Sequence, residues 1–194
     1  MIIDVSSYNG KIDWQKAAPE ITGAVLRSTT KNGQLDTRFM ENLNGLLQAN
    51  IEDIRIYKYS YAKNFTYAHR EAIELLDRLR AKGINPEIFK RVYIDIEPTS
   101  GIVHTKDTID NIICGYLHAF SEEKIECLIG LYVNHDYLIK EVNMVWRYYN
   151  LPVWLARWNA KMGSNCGFNV ELWQYTNKGQ VSGIKGDVDL NEIV

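Results

Sequence analysis

Apolar residues along this chain of 194 residues fall into two periods. Short runs rich in β-branched and aromatic residues recur at 2–7 (IIDVSS), 23–29 (GAVLRST), 53–61, 91–97, 127–134, 153–158, 170–176 and 187–190 (DVDL). Their length and their period-two alternation predict eight strands. Between the early runs the spacing changes to threes and fours. Phe39, Leu43, Leu46 and Leu47 share one predicted helix face, as do Ala72, Ile73, Leu76 and Leu79, and as do Ile109, Ile112, Ile113, Tyr116, Leu117 and Phe120. Asn64 or Thr66 is the expected start of the middle helix, and Gly83 after LRAK its stop. A less regular helix is expected over 135–148.

Alternating strand and helix predicts parallel strands joined by right-handed crossovers, because parallel neighbours need a connection of about a dozen residues or more. After residue 150 the gaps become too short for full crossover helices. The expected fold is therefore α/β: an irregular TIM-like barrel of eight strands with about five helices, lacking helices between the last strands. NKGQVSGIKG (177–186) reads as a loop near the closing strand. The length suits one domain over 1–194.

Composition narrows the chemistry. With 22 basic and 24 acidic residues and a formal charge of -2, nothing electrostatic favours nucleic acid or an anionic membrane as partner. Charges interrupt every apolar stretch before the roughly 20 residues a bilayer requires, and no basic start with an apolar core marks a secretion signal. The expectation is a chain made in the cytoplasm without a signal peptide. Cys114, Cys127 and Cys166 form no C-x-x-C pair and read as buried thiols. His69, His104, His118 and His135 read as scattered, with no carboxylate or cysteine at ligand spacing, so no metal and no cofactor is expected.

The candidate chemistry lies in RVYIDIEPTS (91–100). On a strand, Val92, Ile94 and Ile96 point one way and Tyr93, Asp95 and Glu97 the other. Within a barrel, these acids face a confined space. Closure makes the first and eighth strands neighbours, bringing Asp4 beside Asp189, and both toward the pair on the fourth strand. Burial and a like-charged neighbour each raise a carboxyl pKa, so one acid stays protonated near neutral pH. That is what glycosidic cleavage requires: a carboxylic acid to protonate the leaving oxygen and an ionised carboxylate to stabilise or attack the oxocarbenium centre. Glu97, with the longer reach, is the candidate acid, and Asp95 is the candidate for the ionised partner or for orienting it. Tyr57, Tyr59 and Tyr61, Tyr132, Trp158, and Trp173 with Tyr175 supply flat rings suited to stacking on sugars.

IIDVSSYNGKIDW, VYIDIEP, GLYVNHDYL, PVWLARW and LWQYTNKGQVSGIKGDVDLN, in that order, resemble glycoside hydrolase family 25, the Chalaropsis-type lysozymes, across essentially the whole chain. The resemblance implies a muramidase that cuts the β-1,4 bond between N-acetylmuramic acid and N-acetylglucosamine in the glycan strands of bacterial peptidoglycan. It assigns the catalytic Glu to Glu97, its partner to Asp95, and the first-strand and last-strand acids to Asp4 and Asp189. Substrate-facing aromatics fall on Tyr59, Tyr61, Tyr132 and Trp158. It also implies a phage lysin released at host lysis, here a catalytic domain without a wall-binding module; a bacterial autolysin would read the same way. Asn9 stands where family members commonly have Gln, and Lys58 where an aromatic or His is frequent. Two other readings stay open: a catalytically silent carbohydrate-binding barrel, and a related barrel glycosidase acting on chitin-like polymers.

Overall fold

The computed structural model describes residues 1–98, 104–125, 129–140, 150–158 and 169–194. Eight strands close into a barrel in chain order: β1 (Ile2–Val5), β2 (Gly23–Arg27), β3 (Asp53–Tyr59), β4 (Arg91–Asp95), β5 (Ile129–Asn134), β6 (Val153–Ala156), β7 (Val170–Gly179) and β8 (Val188–Ile193). β1 to β7 pair in parallel, whereas β8 runs antiparallel to both β7 and β1. Residues 180–187 are too few for a crossover, so the chain can only turn back on itself there.

Among the described residues five helices accompany the strands: α1 (Trp14–Ala17), α2 (Phe39–Gln48), α3 (Phe65–Ala81), α4 (Lys106–Glu122) and α5 (His135–Lys140). The Asn64 side-chain oxygen Oδ1 accepts the Tyr67 N–H at 3.1 Å, and so caps α3. Gly83, with φ of 73°, ends that segment in the left-handed region. Thr105 caps α4 in the same manner as Asn64 does α3.

The period-two alternation of the strands divides the core. Outward residues such as Ile3, Leu26, Ile56, Val92, Ile94, Leu131 and Leu155 meet the helices, while Ile2, Val25, Tyr93, Tyr132, Trp154 and Leu172 fill the barrel, with Tyr57 packed against them. Trp154 is the centre of the plug, with the rings of Tyr132, Tyr93 and Tyr57 at 4.4, 5.2 and 5.9 Å. Below it the Tyr93 hydroxyl donates to Glu171, which also receives Arg55 and Arg91.

Some boundaries differ from expectation. β4 ends at Asp95, leaving Glu97 just past the strand. β1 ends at Val5 because Ser6 caps a 3-10 turn over Ser7–Asn9, in which Asn9 returns a hydrogen bond to the Ser6 N–H. β7 continues to Gly179, so 177–179 belong to the hairpin and not to the loop. Leu47 is 51% exposed while Phe39, Leu43 and Leu46 are buried, so the α2 stripe is narrower than its apolar residues suggest. The end of the expected helix, 141–148, lies outside the described residues, as do Cys127 and Cys166. No helix among the described residues is long and apolar enough to cross a membrane.

Candidate active site

Four acids meet at the end of the barrel where the parallel strands finish. Asp4 and Asp189 are register partners on β1 and β8. Asp95 is the last residue of β4, and Glu97 follows it before Pro98. Asp4 and Asp95 are buried, at 8% and 4% exposure, whereas Glu97 is half-buried. Tyr132, beside Asp95 in register on β5, feels all four carboxyls, which add to burial in raising its phenol pKa.

The acids form two hydrogen-bonded pairs. Burial pushes the Asp95 carboxyl well up, and the charges of Glu97 and Asp4 push it further. Glu97 is also raised by burial, but its hydrogen bond with Asp95 draws it back down. Asp4 and Asp189 repeat the pattern: burial and then the charge of Asp189 push Asp4 well up, while Asp189 rises less because Asp4 bonds to it. Asp95 Oδ1 finds no hydrogen-bond partner among the described residues. A buried, unpaired carboxylate oxygen is costly, so the neutral form of Asp95 is favoured. The sequence reading gives the transferable proton to Glu97; burial raises both carboxyls, and Asp95 is the more deeply buried of the two. The strand buries Asp95 completely over the aromatic plug, while Glu97 sits at the mouth.

Gln174 ties the acids to the aromatic wall. Its amide donates to Asp4 at 3.1 Å and to Asp189 at 3.4 Å, and its carbonyl accepts from the Tyr132 hydroxyl at 3.2 Å and the Trp158 Nε1 at 3.0 Å. Asn191 supports the same acid from below, donating to Asp4 at 2.8 Å while accepting from the Trp154 Nε1 at 2.7 Å. Neither residue stood out in the sequence. The signal was present, since Gln174 shares the inward face of β7 with Leu172, and Asn191 that of β8 with Asp189.

A cavity of about 420 Å³ opens beside Glu97, lined by Glu97, Pro98, Tyr132, Asn134, Tyr137 and Trp158 together with Asp136. Trp158 is 43% exposed, an upright indole at the rim. The Tyr137 hydroxyl is held by His104 Nδ1 at 2.7 Å. Of the expected aromatics, Tyr132 and Trp158 share this cavity with Glu97. Tyr59 stands opposite Asp95 in register, and Tyr61 lies 4.8 Å from Tyr59, with Lys31 and Lys58 over its ring in a separate depression. Trp173 and Tyr175 pack on each other, and Trp173 bonds to the Arg157 carbonyl, on the face of β7 opposite Gln174. Lys58 points outward to Glu71 at 3.8 Å, and its charge partly offsets the rise of Asp95. The arrangement can deliver a proton from a half-buried carboxyl into a cleft walled by flat rings.

The histidines are less scattered than they read. His118 and Glu122 are one turn apart on α4, and His69 of α3 meets them, well away from the cavity lining.

A family model described as glycosyl hydrolases family 25 matches residues 3–184. No curated protein matches the chain. Among solved structures, the chain is similar to the modular autolysin LytC of Streptococcus pneumoniae in complex with a synthetic peptidoglycan ligand, at 26% identity and a TM-score of 0.79, covering 98% of this chain and 45% of that one. It is also similar to a family 25 glycosyl hydrolase from Bacillus anthracis, at 17% identity and TM-score 0.81, over 98% of this chain and 87% of that one. A third likeness is to the catalytic domain of an endolysin from a bacteriophage of Listeria monocytogenes, at 19% identity and TM-score 0.77, over 100% and 92% of the two chains. The chain thus spans less than half the length of the pneumococcal autolysin.

Proposed function

The chain belongs to the family 25 glycosyl hydrolases, and from that premise we propose that it is a peptidoglycan hydrolase of the muramidase type, cutting the β-1,4 bond between N-acetylmuramic acid and N-acetylglucosamine. The observation that carries this reading is the hydrogen-bonded Asp95 and Glu97 carboxyl pair beside a cavity walled by Tyr132 and Trp158. The likeness to an autolysin solved with a peptidoglycan ligand supports it.

In this mechanism Glu97 is the general acid, because it alone of the four acids lines the cavity. Burial is deeper at Asp95, so the shared proton lies toward Asp95. When a sugar fills the cavity and excludes water, the proton crosses the shared hydrogen bond to Glu97 and passes to the bridging oxygen, leaving Asp95 ionised as positive charge develops on the sugar. The Asp4 and Asp189 pair holds a proton of its own and offers a hydrogen-bond donor instead of two repelling charges. Tyr132 and Trp158 stack on the glycan, their polar tips tied back to Gln174. The site of action in this reading is the bacterial cell wall, reached as a phage lysin or as an autolysin.

Incubation with purified walls and mass spectrometry of the released fragments test the assignment. New reducing ends on N-acetylmuramic acid are expected. Reducing ends on N-acetylglucosamine would move the cut to the other glycosidic bond, and none at all would favour a silent binding barrel.

A further inference from the structure

α3 and α4 approach closely at Gly115, where an added Cβ would meet the Phe65 backbone carbonyl oxygen at 2.7 Å, the Ala68 Cβ at 2.8 Å and the His69 backbone nitrogen at 2.9 Å. This contact brings a side chain of one helix against a pair on the other. His118 and Glu122 are four residues apart and therefore share a face of α4. His69 from α3 completes a trio whose ligand atoms all lie within 4.8 Å of one another. His69 Nε2 stands 2.6 Å and His118 Nδ1 3.4 Å from the same oxygen, Glu122 Oε2.

We propose that His69, His118 and Glu122 form a binding site for a divalent transition metal of the zinc class, which staples α3 to α4. Two imidazoles and a carboxylate are the donor set such an ion prefers, leaving at least one position for water. With metal–ligand bonds of about 2.0–2.2 Å, donors on a tetrahedral ion stand roughly 3.3–3.5 Å apart. The His118 separation already matches. The His69 separation is the length of a hydrogen bond, and the metal takes the place of the proton shared there. Bringing the three donors, which lie within 4.8 Å of one another, to that spacing asks for side-chain shifts on the order of 1 Å, and His118 and Glu122 are both half exposed.

Two further features favour the ion. The Phe65 ring stacks on His69 at 6.1 Å and meets His118 edge-on at 5.6 Å, which limits rotation of both imidazoles. All three side chains reach solvent, so an ion enters without opening the fold. The trio shares no residue with the cavity beside Glu97, so the site acts on the scaffold and not on the sugar.

The test is a titration of the full chain, stripped with chelator and dialysed, with zinc chloride near neutral pH. Calorimetry should show single-site binding, and zinc at about 100 times its Kd should raise the thermal midpoint by several degrees. Cobalt should give the visible absorption of a low-symmetry nitrogen and oxygen site. His69→Gln and His118→Gln should each weaken zinc binding by about tenfold or more, while Glu123→Gln, one residue outside the trio, should bind as the parent does. No heat and no thermal shift at millimolar zinc would overturn the proposal. So would binding that both histidine variants keep, since the ion would then sit elsewhere.

Discussion

The carboxamide of Gln174 on β7 donates to the Asp4 carboxyl on β1 at 3.1 Å, reaching past the β8 strand that lies between them. The same side chain accepts from Tyr132 and Trp158, so one residue orients an acid pair and two rings of the cavity wall. Gln174→Ala leaves those two donors without their acceptor and removes one of the two amides that bond Asp4. A buried polar group left unsatisfied costs about 1–3 kcal/mol. The thermal midpoint should fall accordingly, and wall hydrolysis should drop by more than the stability loss explains. Midpoint and initial rate measured together check this; full activity in a folded variant would remove Gln174 from the site.

Glu97→Gln keeps the size of the side chain and takes away the transferable proton. General acid catalysis contributes about 10²–10⁴ in rate, and turbidity loss of a peptidoglycan suspension should slow by that order. The fold should be kept, because the substitution also removes a like-charged neighbour of Asp95. Near-normal lysis with an unchanged melting curve would refute the assigned role.

Stability should depend on pH in two opposed arms. Asp4, Asp95, Glu97 and Asp189 have folded pKa values raised first of all by burial. They bind protons more tightly folded than unfolded, so the stability they confer is complete below the unfolded carboxyl range, about 4, and is lost as pH rises through their raised values. Burial works against ionised Asp53 and Glu171 too, but hydrogen bonds from Arg55 and Lys90 to the one, and from Arg91 and Tyr93 to the other, hold both below their ordinary values. Their contribution is present above about 4 and lost as pH falls through their lowered values. The thermal midpoint should therefore climb as pH falls through the raised carboxyl range toward about 4, and fall again below about 4. The double variant Asp95→Asn with Glu97→Gln should flatten the upper arm. A midpoint that declines steadily from neutral to mildly acid pH contradicts the protonated pairs.

Trp158 is exposed at the rim, and its indole nitrogen donates to Gln174. Trp158→Ala should leave the melting curve nearly unchanged. The loss of a stacking surface, worth on the order of 1 kcal/mol, should raise KM several-fold with a smaller change in kcat. An equal fall in kcat at constant KM would place the indole in the chemical step and not in binding.

Much of this protein could be read from local pattern. Period-two alternation set the strands and turned Tyr93, Asp95 and Glu97 away from Val92, Ile94 and Ile96, because a strand's faces follow from its own backbone. The threes and fours of α2, α3 and α4 likewise showed which residues would be covered, although Ile73 and Leu117 are only half-buried and Leu47 is exposed. The order of motifs named the family that the match over residues 3–184 shows.

What the tertiary structure alone decided concerns contacts between distant residues. Sequence could bring Asp4 and Asp189 to neighbouring strands, but the antiparallel direction of β8 made them register partners and brought Gln174 and Asn191 to the same carboxyls. It separated Tyr61 from the cavity that Tyr132 and Trp158 line, although all had looked equally suited to sugar. It also put the stronger pKa rise on Asp95, since depth above the Trp154 plug, a property of the whole barrel, sets the desolvation each carboxyl feels. His118 and Glu122 stood one turn apart in the sequence all along. Only the close crossing at Gly115 supplied His69, because a third donor from another helix belongs to no local period.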